Sequence, residues 1–337
     1  MNRRRFIGFS FFTFFLSIIE IFFKPFSFSK KSNFGRTIVI THDIFQKHLL
    51  KKNHPESPER INFIHQQLKK EKKDSLMQNT NLKINAEEWI KTIHTKEHIK
   101  SLKKNFKIAE EASTSAIKSC LQGVNLIMNN SCANVFCAVR PPGHHALNTG
   151  KDEGFCMYNH IAVTAKYIQK KYNLKKILII DWDYHHGNST EYFFYEDPTV
   201  FFFSTHDAKA YPGTGSPDRI GHGKGKGFNV NIHLPCGTQD QAIIDVYKNE
   251  LVRYADFFKP DFILISAGFD SRKNDPLGCF NLTDKCFETL TKISMNIASK
   301  HCNGRLLSLL EGGYNLKGNA KAAVSHIKVL DNFYLEV

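Results

Sequence analysis

Ile177-Leu178-Ile179-Ile180 is apolar at every position and mostly β-branched. A strand with one wet face alternates apolar and polar residues. An unbroken apolar run is what a strand buried on both faces of a parallel sheet requires. The run leads into Asp181-Trp182-Asp183-Tyr184-His185-His186-Gly187-Asn188. Side chains alternate along an extended chain, so Asp181, Asp183 and His185 are expected to emerge on one side. Carboxylates and an imidazole at the carboxyl end of a parallel strand stand where open α/β sheets place their ligand sites.

Comparable strand candidates recur at Thr37–Thr41, Ala133–Val139, Thr199–Ser204, Phe228–Leu234, Asp261–Ala267 and Arg305–Glu311. Amphipathic stretches of helical period separate several of them, as at Asn159–Tyr172, Gln239–Phe258 and Asp284–His301. The region from about 55 to 130 reads as mainly helical and opens on Pro55-Glu56-Ser57-Pro58-Glu59-Arg60, with proline and acidic residues suited to a helix start. Alternating strands and helices imply right-handed crossovers and a mostly parallel sheet with helices on both faces. Gly221-His222-Gly223-Lys224-Gly225-Lys226-Gly227 precedes a strand rather than opening a helix, so it reads as a tight turn and not as a phosphate-cradling loop.

Residues 1–29 differ in kind from the rest. Arg3-Arg4-Arg5 precedes an almost wholly apolar run from Phe6 to Ile19, and ten of the 29 phenylalanines lie before residue 30. The run is 14 residues long, short of the roughly 20 a membrane span needs. A basic start and a short apolar stretch read as an export signal, and Arg3-Arg4-Arg5-Phe6-Ile7 resembles the twin-arginine kind. An uncleaved membrane anchor is the alternative. The expected partition is a signal or anchor over 1–29 and one catalytic domain over 30–337, exported or membrane-anchored. The formal charge of +14 is carried by scattered lysine pairs, which favours anionic surfaces in general but forms no dedicated nucleic-acid site. Eight cysteines occur without a C-x-x-C pair, which argues against a structural zinc knuckle and leaves any disulfide pairing open.

Four loops that follow strand candidates carry the chemistry: Arg140-Pro-Pro-Gly-His144-His145-Ala146, Tyr211-Pro-Gly-Thr-Gly215, Ser266-Ala-Gly-Phe-Asp270 and Glu311-Gly-Gly-Tyr314. Asp183, His185 and Asp270 would be three protein ligands with a fourth position open, the usual arrangement of catalytic zinc. Such a mixed oxygen and nitrogen set also suits Fe(II) or Co(II). His144 and His145 would act as general base and acid, each oriented by an acceptor, for which Asp181 and Asn188 are the candidates. Tyr314 would donate to an oxyanion. Together these residues describe metal-assisted hydrolysis of an amide.

These motifs, with Gly154-Phe155-Cys156 and His54-Pro-Glu-Ser-Pro-Glu-Arg60, resemble the zinc-dependent histone deacetylase family, which includes bacterial acetylpolyamine amidohydrolases and acetoin-utilisation proteins. The resemblance runs in order from about His54 to Tyr314. It implies a three-layer arginase/deacetylase-type α/β fold, with zinc on Asp183, His185 and Asp270. It also implies His144 paired with Asp181, His145 paired with Asn188, and Tyr314 polarising the acyl carbonyl. Asn188 resembles the class II branch. Gly154, Phe155 and Tyr211 match a narrow channel for an acyl-lysine-like chain. A structural K+ would be held by oxygens of Asp181, Asp183, His185, Ser204 and Thr205. The acidic rim residue that grips a substrate backbone is not placed by these motifs; Glu110 and Glu111 are the candidates. The expected substrate is an acetylated lysine, polyamine or other small amine. Two other readings stand beside it: a binuclear ureohydrolase of the same fold and a non-catalytic acyl-amine binding protein. His42, His54 and His233 receive no role, and His186 and His206 are expected to be structural.

Overall fold

The computed structural model describes residues 37–333. Eight strands form one sheet: β1 (Thr37–Thr41), β2 (Met77–Asn79), β3 (Asn134–Cys137), β4 (Ile177–Asp181), β5 (Val200–His206), β6 (Asn229–His233), β7 (Phe262–Ala267) and β8 (Leu306–Leu310). They lie in the order β2-β1-β3-β8-β7-β4-β5-β6, and every pairing is parallel. Parallel strands need covered faces. All five residues of β4 and all seven of β5 are buried, and helices cover the sheet on both sides in the three-layer arrangement of the arginase/deacetylase type.

The strand order positions the site. β3 and β4 are successive long strands in sequence, yet β8 and β7 lie between them in the sheet. The carboxyl ends of β3, β8, β7 and β4 are therefore neighbours, and the four chemistry-bearing loops leave the same edge. Ligand sites form in such crevices, where the direction of winding reverses.

Local sequence explains most element ends. Asn159 caps the helix His160–Tyr172 by accepting from the Ala162 amide, and Asn173 closes it in a left-handed conformation at φ 54°. Three differences from the sequence reading stand out. The edge strand Met77–Asn79 was not anticipated, because three half-exposed residues carry no apolar pattern. The helix expected over Gln239–Phe258 is Asp240–Val246 and Val252–Phe258 joined by a π-helical turn at Tyr247–Leu251. Finally, β4 ends at Asp181, so Asp183 and His185 are placed by a turn rather than by strand alternation. Among the described residues no helix is long and apolar enough to cross a membrane. The signal or anchor expected over 1–29 lies outside the described residues.

Candidate active site

Where β4 stops, the chain folds its own carboxylates inward. Asp181 Oδ1 accepts from the Asp183 amide at 3.1 Å, and Asp183 Oδ1 accepts from the His185 amide at 2.9 Å. Asp270, three residues beyond β7, accepts from the Tyr184 amide at 2.9 Å. The Gly312 amide, just after β8, donates to Asp183 Oδ2 at 2.8 Å. These bonds aim the remaining groups at one point. His185 Nδ1 lies 3.2 Å from Asp183 Oδ1 and 3.0 Å from Asp270 Oδ2. Gly312 is required for the approach, since a Cβ there would overlap both ligand carboxylates.

The donor set fits a dication. Ligands about 2.0–2.2 Å from one tetrahedral ion stand roughly 3.3 Å apart, close to the spacing found here. One ligand atom from each of Asp183, His185 and Asp270 falls within 4.8 Å of the others. The electrostatics point the same way. Asp181, Asp183, Asp270 and Glu311 are all fully buried, a concentration of negative charge that is costly without a counter-charge. Burial and the Asp183 charge push Asp270 up to about 7. Burial works against a charged His185, but its bonds to Asp183 and Asp270 win and raise it to about 10.

The histidine pair is set from the β3 side. The Gly143 and His144 amides donate to Glu311 Oε2 at 2.6 and 3.2 Å, tying the loop after β3 to the end of β8. His144 Nδ1 lies 3.0 Å from Asp181 Oδ2, and His145 Nδ1 lies 2.8 Å from Asn188 Oδ1. The acceptor oxygen of Asn188 fixes the proton on Nδ1 and leaves Nε2 of His145 as the free base. The two rings lie 4.0 Å apart, and their surroundings shift them in opposite directions. Burial, then the neighbouring His144 and His185, hold His145 well below the usual imidazole range. Burial opposes charge on His144 too, but Asp183, Asp181 and Glu311 outweigh it and hold it well above that range.

A cavity of about 500 Å³ opens onto these groups. His145, His185 and Tyr314 line its inner end, and Phe155, Tyr211 and Leu277 form its walls. Tyr211 is half exposed and meets the His145 ring edge-on at 4.9 Å. Gly154, at φ 54°, lets the chain pass where a Cβ would strike His145 and Tyr211. The Tyr314 amide donates to Asp275 Oδ2 at 2.6 Å, and the Arg60 guanidinium lies 5.0 Å from the Tyr314 ring centre.

One expectation fails. Glu110 is buried, accepts from the Tyr158 hydroxyl at 3.0 Å, and with Glu111 lines a different cavity on the helical side. The helix Lys107–Met128 turns that face away from the channel. The acid among the channel-lining residues is Asp152, which sequence reasoning missed because no pattern marks it. Glu311 and Asp275 were also missed as positioning groups; the only signal for Glu311 was its place at the head of the Gly-Gly-Tyr motif. Ser204 lies opposite Asp181 in the β4–β5 register and its hydroxyl pairs with His206 Nδ1 at 2.9 Å, with Thr205 buried beside it. His186 lies against Thr214 and Glu191, and His206 against Ser204 and the Gly215 carbonyl, so both are packed into scaffold. His54 stacks edge-on against Phe155 at 4.6 Å.

Residues 54–330 match the histone deacetylase domain. A probable deacetylase of Archaeoglobus fulgidus is 34% identical over 298 residues, covering 84% of this chain and 82% of that protein. Histone deacetylase 15 of Arabidopsis thaliana is 35% identical over 299 residues, covering 82% of this chain and 52% of that protein. The crystal structure of the HDA15 HD domain superposes with a TM-score of 0.81 at 32% identity and covers 88% of each chain. The chain belongs to the histone deacetylase family, whose members hydrolyse acetyl amides. It spans most of the archaeal relative but only about half or less of the plant and animal proteins it matches.

Proposed function

We propose that this protein is a single-metal amidohydrolase that removes an acetyl group from a lysine side chain or another primary amine. The observation that carries the reading is the convergence of Asp183, His185 and Asp270 at the inner end of an aromatic-walled channel, beside the histidine pair His144–Asp181 and His145–Asn188. Zinc is the expected ion, with Fe(II) or Co(II) as alternatives for the same donors. Asp183, His185 and Asp270 would hold the dication, which when bound would supply Lewis-acid chemistry toward the acyl carbonyl and water. The chain's own groups do the rest. His145 Nε2 takes the proton of the attacking water. The Tyr314 hydroxyl donates to the oxyanion as it forms. His144, oriented by Asp181, supplies a proton for the departing amine. Phe155 and Tyr211 exclude water around the alkyl chain, and Asp152 favours a substrate with a cationic or amide-bearing far end.

Two companion readings follow from the resemblance. K+ would be held by Asp181, Asp183, His185, Ser204 and Thr205, supported by the register that sets Asp181 opposite Ser204. Export or membrane anchoring through residues 1–29 rests on the Arg3-Arg4-Arg5 start, and Arg3→Lys with Arg4→Lys should retain the protein in the cytoplasm if the twin-arginine route is used. Unchanged fractionation would contradict that route. A binuclear ureohydrolase would need a second cluster of bridging carboxylates. Among the described residues the other such group is Asp207 with Cys236 and Cys279, one carboxylate beside two sulfurs joined in a disulfide, which supplies no bridging carboxylates. The function is tested by offering the zinc-loaded protein an acetyl-lysine reporter and an acetylated polyamine. Release of acetate from either supports the reading; turnover of neither, with ligand binding intact, would leave the binding-protein alternative.

A further inference from the structure

The described cysteines divide into two groups. Cys120, Cys132, Cys137, Cys156, Cys286 and Cys302 are buried thiols. Cys236 and Cys279 are joined in a disulfide across 43 positions of sequence; Cys236 is exposed and Cys279 partly so. The two segments are already paired through the backbone, because the Gly237 amide donates to the Cys279 carbonyl at 2.8 Å. Their Cα atoms lie 5.2 Å apart, inside the range that a disulfide spans without moving the chain.

The bridge touches the active site on two sides. Cys279 Sγ lies 3.1 Å from the Tyr184 hydroxyl and 3.5 Å from Asp207 Oδ2, while that hydroxyl donates to the same Asp207 oxygen at 2.9 Å. Tyr184 lines the channel, and its amide orients the ligand Asp270. On the other side, the segment ending at Cys279 begins at Asp270. It carries Asp275, which holds the amides of Tyr314 and Asn315, and Leu277, which forms channel wall. Gly278 packs against the Asp270 carbonyl and the Tyr184 ring with no room for a Cβ. One ten-residue segment thus joins a metal ligand, the anchor of the oxyanion donor and the substrate wall, and the disulfide fastens its far end.

We propose that Cys236 and Cys279 form a thiol–disulfide exchange site, served by small thiols, whose state sets the position of segment 270–279. In the opening reaction a small thiolate attacks the exposed Cys236 Sγ, the S–S bond breaks, and Cys279 leaves as a thiolate that takes up a proton. A second small thiol attacks the mixed disulfide and releases Cys236. The protein gains two electrons and two protons, and two small thiols become one small disulfide. Closure is the reverse, with a small disulfide as oxidant. With the bridge open, Cys279 remains beside Asp207 and Tyr184 but no longer fastens Leu277 and Asp275. The exchange chemistry stands apart from the hydrolase reading; only its effect on turnover rests on that reading.

The test begins with the full chain purified without reductant and alkylated in its native state, before and after treatment with a phosphine that does not strip metal. Peptide mass spectrometry should find Cys236 and Cys279 linked before treatment and both alkylated after it, with the six buried thiols unmodified in each case. On the acetyl-lysine reporter, opening should lower kcat/KM at least about threefold, and reoxidation should restore it. The Cys236→Ser variant should show the lowered value with or without phosphine, which separates the switch from metal loss. Free Cys236 and Cys279 in the untreated protein would overturn the site. Equal kcat/KM in the two proven states would overturn the switch while leaving the hydrolase reading intact.

Discussion

Asn188 decides which nitrogen of His145 is free, and with it the pH at which that base works. An amide oxygen fixes the Nδ1 proton without adding charge, so burial and the neighbouring histidines keep His145 neutral well into acid. Asn188→Asp would place a carboxylate at the same 2.8 Å. The new negative charge favours imidazolium, raises the folded pKa of His145, and removes the free base at higher pH. The acid limb of kcat/KM should therefore move to higher pH, which a pH–rate profile of the two proteins reads directly; an unmoved limb would exclude His145 as the base. Tyr314→Phe tests a different group. Losing one oxyanion donor costs on the order of 10²–10³ in kcat, about 2.7–4 kcal/mol, and leaves KM nearly unchanged. A variant keeping more than about a third of wild-type kcat would mark Tyr314 as packing alone.

At the scale of elements, the tightest demand falls on the turn after β8. Gly312→Ala inserts a Cβ between the Asp183 and Asp270 carboxylates and should abolish metal binding while leaving the far-UV circular dichroism of the sheet and helices in place. Stoichiometric metal in that variant would mean the turn is slack. The same contrast explains what the sequence made legible. β4 ends at Ile177 and Asp181 as the apolar run implies, because every position is buried and each must be apolar until the site begins. The convergence of Asp183, His185 and Asp270 and the contacts of His144 with Asp181 and His145 with Asn188 were readable because motifs at strand ends carry them. Elements without periodicity stayed hidden. The three residues of β2 are an edge, and a one-turn π segment at Tyr247–Leu251 adds a residue that a helical period absorbs without trace. Asp152, Tyr184 and Leu277 meet at the channel only through loop geometry, and the rim acid stayed unplaced because spacing alone does not say which way a helix face turns.

At the scale of the whole molecule, one buried carboxylate joins the helical layer to the catalytic edge. Glu56 receives Arg140 through Nε–Oε1 and Nη2–Oε2 bonds of 2.7 Å each, and Arg60 through a 3.3 Å contact, while Arg60 reaches the Glu311 and Gly313 carbonyls beside Tyr314. Burial alone would raise Glu56, but the 3.3 Å contact with His48 and the charges of Arg140 and Arg60 outweigh it and hold it far below its ordinary 4.5. A carboxylate depressed in the folded state stabilises fully above its unfolded pKa, and that contribution is lost as pH falls below about 4.5. Glu56→Gln should cost on the order of 3 kcal/mol at neutral pH. It should also flatten the acid side of the stability curve, as measured by urea unfolding; an unchanged acid slope would place the acid sensitivity elsewhere. The central claim, one catalytic dication held by Asp183, His185 and Asp270, is tested most directly by titrating the metal-free protein with zinc while following acetyl-lysine turnover. Activity should be absent at the start and rise linearly to a break at one equivalent per chain. Turnover without metal, or a break at two equivalents, would contradict it.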